Sequence, residues 1–350
     1  MFGINILAAA GAVGPVEREV LMTHLTFAEA IIVGLIQGTT ELFPVSSLGH
    51  NVLIPAIVGG NWAQDLNVAK PESPYLAFIV GLHVATAIGI TIYFWRDWIR
   101  IIGGFFTSIA RWEVKTSDQK LAWMIVLATI PVGIAGLLFE HQFRVIFGVP
   151  WRAAAFLVVN GVILYAGERF RTKKSREADL LVARQRQEEP ALAGAGYGGA
   201  HSSGQRALRQ QEIASAVQAD RRLTSASYWQ AIIIGSAQVL ALLAGISRDG
   251  VTMVAGMFRG LSREDAARFA FLLATPVILA AGVLKIPDLL GPLGNGIRPQ
   301  ILAGSIVSGV AAYLSVRFLM KYFQTRTLTP FAIYCVVAGL ASLIYLVGVK

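Results

Sequence analysis

Six stretches of this chain are almost purely apolar over the length a helix needs to cross a bilayer: Tyr75 to Trp95, Leu121 to Phe139, Trp151 to Gly167, Arg268 to Ile286, Ile301 to Met320 and Pro330 to Val347. About 20 apolar residues span the hydrocarbon core, so each stretch is predicted to be a transmembrane helix. Two more, Phe27 to Gly60 and Trp229 to Gly260, are apolar but broken near their middles. The breaks are Phe43-Pro44-Val45-Ser46-Ser47 and Ala244-Gly245-Ile246-Ser247-Arg248-Asp249-Gly250. Both broken stretches are read as re-entrant helical hairpins, because non-helical backbone at membrane depth survives only where protein buries it or water reaches it. In the alternative reading each broken stretch simply crosses, and the loops change sides. The expected fold class is therefore an all-α polytopic membrane protein, with six transmembrane helices and two re-entrant hairpins.

Composition agrees with a bilayer: 55% of the 350 residues are hydrophobic and 15% charged, against about 25% charged in soluble domains. The single cysteine, Cys335, sits in an apolar run, so no disulfide framework or Cys-based metal site is expected. A net charge of +9 could point to nucleic acid, but its distribution decides against that. Threading the segments in turn puts residues 96 to 120, 169 to 222, 259 to 268 and 317 to 326 on one side, with 22 of the 30 Lys and Arg. The opposite side holds seven, and Arg248 lies in the second break. Basic loops stay cytoplasmic, so both termini are expected outside. Between Arg171 and Ser227 the chain turns polar with mixed charges and reads as a cytoplasmic, largely disordered loop, either a solvated linker or a membrane-surface contact. Residues 1 to 24 read as a peripheral segment whose short apolar run, Ile4 to Val16, makes a poor secretory signal, and Met22 is a candidate start.

A shift of 201 residues superposes Gly34, Gln37, Ser46 and Gly49 on Gly235, Gln238, Ser247 and Gly250. Each half, 25–170 and 228–350, then reads as one hairpin followed by three spans. Three is odd, so the second half enters from the opposite side and the repeat is inverted. Membrane proteins of this plan place their site near the midplane, where the broken segments meet.

The two breaks hold the candidate chemistry. A carboxylate within a span costs roughly 2.5–3.5 kcal/mol on insertion scales, so Glu41 is expected to face a cavity, a cation or a protein partner. Gln37 lies one turn earlier on the same face. Such an oxygen pair suits Mg²⁺ or Ca²⁺, the other reading being a protonated or hydrogen-bonded Glu41. A helix starting near Ser46 would set Ser47 and His50 on one face as a base-assisted nucleophile, or leave Ser46 as an N-cap and His50 as an interhelical donor. In the second break Gly245, Ser247, Arg248, Gly250 and Thr252 combine a helix N-terminus, hydroxyls and a guanidinium, which is phosphate-binding chemistry. The alternative is an Arg248 neutralised by Asp249 or Glu41. His83 reads as an interhelical donor, and His141 and His201 fall in loops.

At these residues the chain resembles the undecaprenyl-diphosphate phosphatase family of the bacitracin-resistance type. The likeness rests on Gln37 and Glu41, on Pro44, Ser46, Ser47, Gly49 and His50, and on Gly245, Ser247, Arg248 and Gly250. It continues through Phe94-Trp95-Arg96, Ala128-Thr129-Ile130-Pro131, Ala266-Ala267-Arg268-Phe269 and Phe331-Ala332-Ile333-Tyr334, covering the chain from about residue 25 except the 171–227 loop. Two positions depart: Ala244 stands where the family has Pro and Asp249 where it has Ser, so Asp249 is expected to pair with Arg248 or bind metal. The resemblance implies hydrolysis of undecaprenyl diphosphate to undecaprenyl phosphate in the bacterial plasma membrane, for carrier-lipid recycling in cell-wall synthesis and with bacitracin resistance. It implies catalytic roles for Glu41, Ser47, His50 and Arg248. Substrate contacts fall to Gln37, Ser46, Ser247, Thr252, Gly245 and Gly250, with a divalent cation at Glu41 and Gln37. The expected partners are a polyprenyl diphosphate lipid and the bilayer, not nucleic acid, with a homo-oligomer left open. The rival class is a transporter or polyprenyl-phosphate flippase with an anion site between inverted repeats. The phosphatidic-acid phosphatase class is disfavoured by Val254, which stands where its histidine is expected.

Overall fold

The computed structural model describes residues 25–66, 74–147, 149–194, 216–290 and 296–348. Among them every regular element is helical and none is a strand. The predicted peripheral segment 1–24 lies outside the described residues.

Both broken stretches are broken helices. Helix α1 (Phe27–Thr40) ends in a turn at residues 41–45, and α2 (Ser47–Val58) follows. A short α3 (Gly60–Asp65) comes next, then α4 (Pro74–Tyr93). The chain turns at Phe94 into α5 (Trp95–Arg111), and α6 (Ser117–Phe147) and α7 (Pro150–Arg169) complete the first half. The polar connection carries α8 (Lys173–Gly194) and α9, residues 216–223. In the second half α10 (Tyr228–Ser236) tightens into a 3₁₀ turn, Ala237–Leu242, before α11 (Arg248–Phe258). Three long helices end the chain: α12 (Arg263–Leu290), α13 (Arg298–Tyr322) and α14 (Thr329–Gly348).

Five helices are long and apolar enough to cross a membrane, and a sixth candidate is the pair Phe78–Tyr93 and Trp95–Arg111, bent by 88°. The chain is thus a multi-pass membrane protein. Ile306, Val310 and Phe318 of α13 and Ile333, Val337 and Ile344 of α14 are exposed, an inside-out surface suited to lipid. Between helices, small residues let backbones meet. A Cβ on Gly34 would lie 2.4 Å from the Gly304 carbonyl oxygen, and one on Gly235 would lie 2.0 Å from that of Ala128. These contacts seat α1 on α13 and α10 on α6. Helix α4 packs on α12 and α13, and α7 packs on α14.

Two expected loops are helical instead. Residues 96–120 are mostly α5, an amphipathic helix whose Ile99, Ile102, Phe106 and Ile109 face outward while Asp97, Ile101, Gly104 and Ser108 are buried. Its charges masked a 3.6-residue period. Of the 171–227 segment, whose composition suggests a largely disordered loop, residues 195–215 lie outside the described residues, while α8 and α9 are helices held by ion pairs that composition does not reveal. Arg263 holds Asp179 at 2.5 Å, and buried Asp220 holds Arg100 at 2.6 Å and Arg268 at 2.9 Å. Lys, Arg, Glu, Gln and Ala also favour helix intrinsically.

Candidate active site

A capping box starts each broken pair. The Thr26 hydroxyl accepts from the Glu29 N–H while Glu29 receives the Thr26 N–H, and Ser227 and Gln230 repeat the arrangement. Helix α1 then runs to Glu41, whose N–H still bonds to the Gln37 carbonyl at 2.9 Å. One turn apart, the Gln37 amide nitrogen donates to Glu41 Oε2 at 2.8 Å. The Gln37 carbonyl oxygen accepts from Asn51 Nδ2 at 2.6 Å, so this side chain ties the two arms of the hairpin together.

Ser46 sits at φ 69°, a region that L residues rarely enter. Strain of this kind, on the order of 1–3 kcal/mol, persists only where surroundings enforce it. Here the Ser46 hydroxyl oxygen accepts N–H bonds from Gly49 of its own hairpin and Gly245 of the other, each at 3.2 Å. Gly245 itself is at φ 110°, a conformation open to glycine. Asn160 of α7 clamps both breaks: its amide nitrogen donates to the Pro44 carbonyl at 2.9 Å, and its oxygen accepts the Ser247 N–H at 3.0 Å.

These clamps bring the guanidinium and the carboxylate of the two hairpins together. Arg248 Nη2 donates to Glu41 Oε1 at 2.8 Å and its Nε to Asp249 Oδ1 at 3.3 Å. On its other oxygen, Oε2, Glu41 accepts the Ser47 hydroxyl and lies 3.4 Å from His83 Nε2. The whole cluster is sequestered: Glu41 is 8% exposed and Asp249 1%. Asp249 thus pairs with Arg248, one of the outcomes expected for that departure, yet its Oδ2 is buried with no hydrogen-bond partner among the described residues.

Gln37, Glu41, Ser47 and Arg248 therefore converge. The Ser47–His50 pairing does not form, because the Ser47 hydroxyl donates its hydrogen bond to Glu41 instead. His50 turns Nδ1 to the Ser46 carbonyl and Nε2 to the Tyr334 hydroxyl, both at 2.7 Å. Ser46 and Ser247 cap α2 and α11 by accepting from Gly49 and Gly250. Thr252 spends its hydroxyl on the Arg248 carbonyl at 2.7 Å. His83, read as an interhelical donor, makes its hydrogen bond within its own helix, from Nδ1 to the Ile79 carbonyl at 2.8 Å, and its Nε2 stands 3.4 Å from the central carboxylate. Asn51, Asn160 and Tyr334 were missed; the two asparagines are buried polar residues in apolar runs, and that signal could have found them.

A cation site at Glu41 and Gln37 fits only in part. The Gln37 oxygen is turned to Asn51, and among the described residues no three His, Cys, Asp or Glu side chains are grouped to hold a metal. Glu41 and the orphaned oxygen of Asp249 fit better, since Mg²⁺ commonly uses one or two carboxylates with water and substrate phosphates.

Fold and site together define a multi-pass helical membrane protein whose two broken helices enclose a buried arginine–carboxylate site with a serine hydroxyl in it. Residues 30–341 match the family described as bacitracin resistance protein BacA, and the chain belongs to that family. It is 58% identical over 326 residues to the undecaprenyl-diphosphatase of Mycolicibacterium paratuberculosis, a match covering 93% of this chain and 99% of that protein. It is 52% identical to undecaprenyl-diphosphatase 2 of Frankia alni, covering 91% and 97% of the two chains. Undecaprenyl-diphosphatase 2 of Burkholderia orbicola is 38% identical, over 89% and 94%.

Proposed function

We propose that this protein hydrolyses undecaprenyl diphosphate to undecaprenyl phosphate and phosphate, in a chamber within the membrane. The observation that carries this reading is the 2.8 Å bond from Arg248 to Glu41, a phosphate-binding group from one half held against a carboxylate from the other. A diphosphate competes with Glu41 for the Arg248 N–H groups, since guanidinium and phosphate oxygens match geometrically. Glu41 Oε1 is then freed while Oε2 keeps accepting the Ser47 hydroxyl bond. Ser47 Oγ attacks the terminal phosphorus, and the bond to the bridging oxygen breaks. Undecaprenyl phosphate leaves with that electron pair, and Glu41 takes the serine proton. Water then attacks the phosphoserine phosphorus as His50 accepts its proton, the Ser47 Oγ–P bond breaks, and Glu41 returns the proton it took to Oγ, releasing phosphate. Arg248 and the α11 N-terminus stabilise charge on the transferring group. A divalent cation held by Glu41 and Asp249 would supply Lewis-acid neutralisation of the diphosphate.

The topology proposed for this site is an inverted repeat. Each broken pair is a re-entrant hairpin followed by three crossings, with both termini outside. The packing supports it: α1 seats on α13, the second long helix of the opposite half, as α10 seats on α6, the second of the first half, while first packs on first, α4 on α12, and third on third, α7 on α14. Cysteine accessibility of residues 60 to 75 tests the outward placement. Purified protein in detergent, where no gradient exists, is expected to release phosphate from undecaprenyl diphosphate and to lose that activity with chelator. Acid quench with labelled substrate is expected to trap a phosphoserine. Labelled enzyme never appearing would assign the attack to water, and no phosphate release at all would favour a transporter.

A further inference from the structure

We propose that Tyr334 is a positioning residue of this site, holding His50 as the Nδ1–H tautomer and fixing the direction of its Nε2 lone pair. The proposal rests on the assignment of His50 to proton transfer made above. His50 lies between two hydrogen bonds, each 2.7 Å, to the Ser46 carbonyl oxygen and the Tyr334 hydroxyl. A carbonyl oxygen can only accept, so Nδ1 carries the proton. In the neutral ring Nε2 then has a lone pair, and the Tyr334 O–H donates into it. The two rings are stacked, 7° from parallel with centroids 5.8 Å apart, which fixes the imidazole plane as well as its tautomer.

His50 is 7% exposed, so its ring is held by these two bonds in a buried setting, and the phenol fixes which nitrogen of the buried base carries the lone pair. The surrounding charges are committed elsewhere. Glu41, Arg248 and Asp249 bond to one another. Across α7 the facing group is the amide of Asn160, and beside Tyr334 on α14 the Cys335 thiol is turned to Asn160 and the Pro44 carbonyl.

The test measures phosphate release from undecaprenyl diphosphate across pH for wild type, Tyr334→Phe, His50→Gln and the double variant, all purified in detergent. Tyr334→Phe is expected to lower kcat about tenfold, within the range of a lost proton-transfer contribution. Its KM stays close to wild type, and the acid limb of the profile moves to higher pH because the lone pair has lost its donor. His50→Gln is expected to lose at least as much, and the double variant no more than His50→Gln alone. Incorporation of 3-fluorotyrosine at position 334 keeps the shape, changes the acidity of the phenol and is expected to shift the profile as well. An unchanged kcat and profile in both Tyr334 variants, with His50→Gln impaired, would overturn the proposal. So would a further loss in the double variant, which would show the tyrosine acting apart from the histidine. His50→Gln with full activity would instead sink the role given to His50 under the proposed function.

Discussion

The two breaks are built on one plan and do different chemistry. Each is entered through a capping box, at Thr26 and at Ser227, and each is left through a serine that caps the next helix, at Ser46 and at Ser247; the paired residues are 201 positions apart. Over that shared frame the same offset sets Glu41 against Leu242, Ser47 against Arg248 and His50 against Val251. The carboxylate, hydroxyl and imidazole thus lie in the first break, and the guanidinium in the second. Gln37 satisfies both ends of its amide, whereas the nitrogen of its counterpart Gln238 is buried without a partner. The repeat supplies two facing helix starts, and divergence at a few equivalent positions supplies reactivity. Because positions 47 and 248 occupy equivalent places, Ser47 and Arg248 meet the same carboxylate from opposite halves.

Removing the residues that break the equivalence is expected to have the largest effects. Arg248→Ala should lower phosphate release about a thousandfold, and Glu41→Gln about a hundredfold, in the range of lost electrostatic stabilisation. Arg248→Lys restoring most of the rate would show that a point charge suffices and that the forked grip is idle. A smaller effect is expected from Asp249→Ser, which returns the second break to the family pattern. With one carboxylate gone, the cation concentration giving half-maximal phosphate release should rise about tenfold, the cost typical of a lost supporting group at a metal. An unchanged midpoint would leave Asp249 as a partner of Arg248 only. The shared frame is tested by Gly235→Ala and Gly34→Ala. Each should destabilise by about 1–3 kcal/mol through overpacking, read as thermal unfolding in detergent. Gly235 should be the worse because its added Cβ would come nearer to backbone, 2.0 Å against 2.4 Å.

Much of this frame was legible because it interrupts an apolar background. Pro44, Ser46, Gly245 and Ser247 mark the breaks, and Glu41 and Arg248 are charges costly enough in a membrane to require each other. What escaped was the choice of partner. Ser47 lies on the same helical face as His50 by spacing, yet its hydroxyl reaches back across the turn to Glu41, a contact set by the φ 69° kink at Ser46 that no periodicity encodes. His83 spends Nδ1 on Ile79 one turn back, and its approach to Glu41, 42 positions away in a different element, is a contact that no local pattern encodes. Helices α5 and α8 escaped for a different reason. Their charges resemble loop composition until Asp97 of α5 is seen to be paired with Arg268 and Asp179 of α8 with Arg263, each across elements.

The capping boxes give the smallest comparison: a Thr and a buried carboxylate in one, a Ser and an exposed amide in the other. At Thr26 the partner is the Glu29 carboxylate, which accepts from both the backbone N–H at 2.8 Å and the hydroxyl at 2.9 Å and is itself buried. At Ser227 the partner is the neutral Gln230 amide, in an exposed setting, with one such bond at 2.9 Å. A carboxylate in the first helical turn also gains from the helix dipole, by about 0.3–1 kcal/mol. Replacing an N-cap by alanine costs about 0.5–2 kcal/mol, so Thr26→Ala should fall near the upper end and Ser227→Ala near the lower. Equal losses would mean that the charge of Glu29 adds nothing at this position and that the two hairpins are entered with the same strength. A larger loss at Ser227 would reverse the order and point to α10 as the helix start that depends more on its cap.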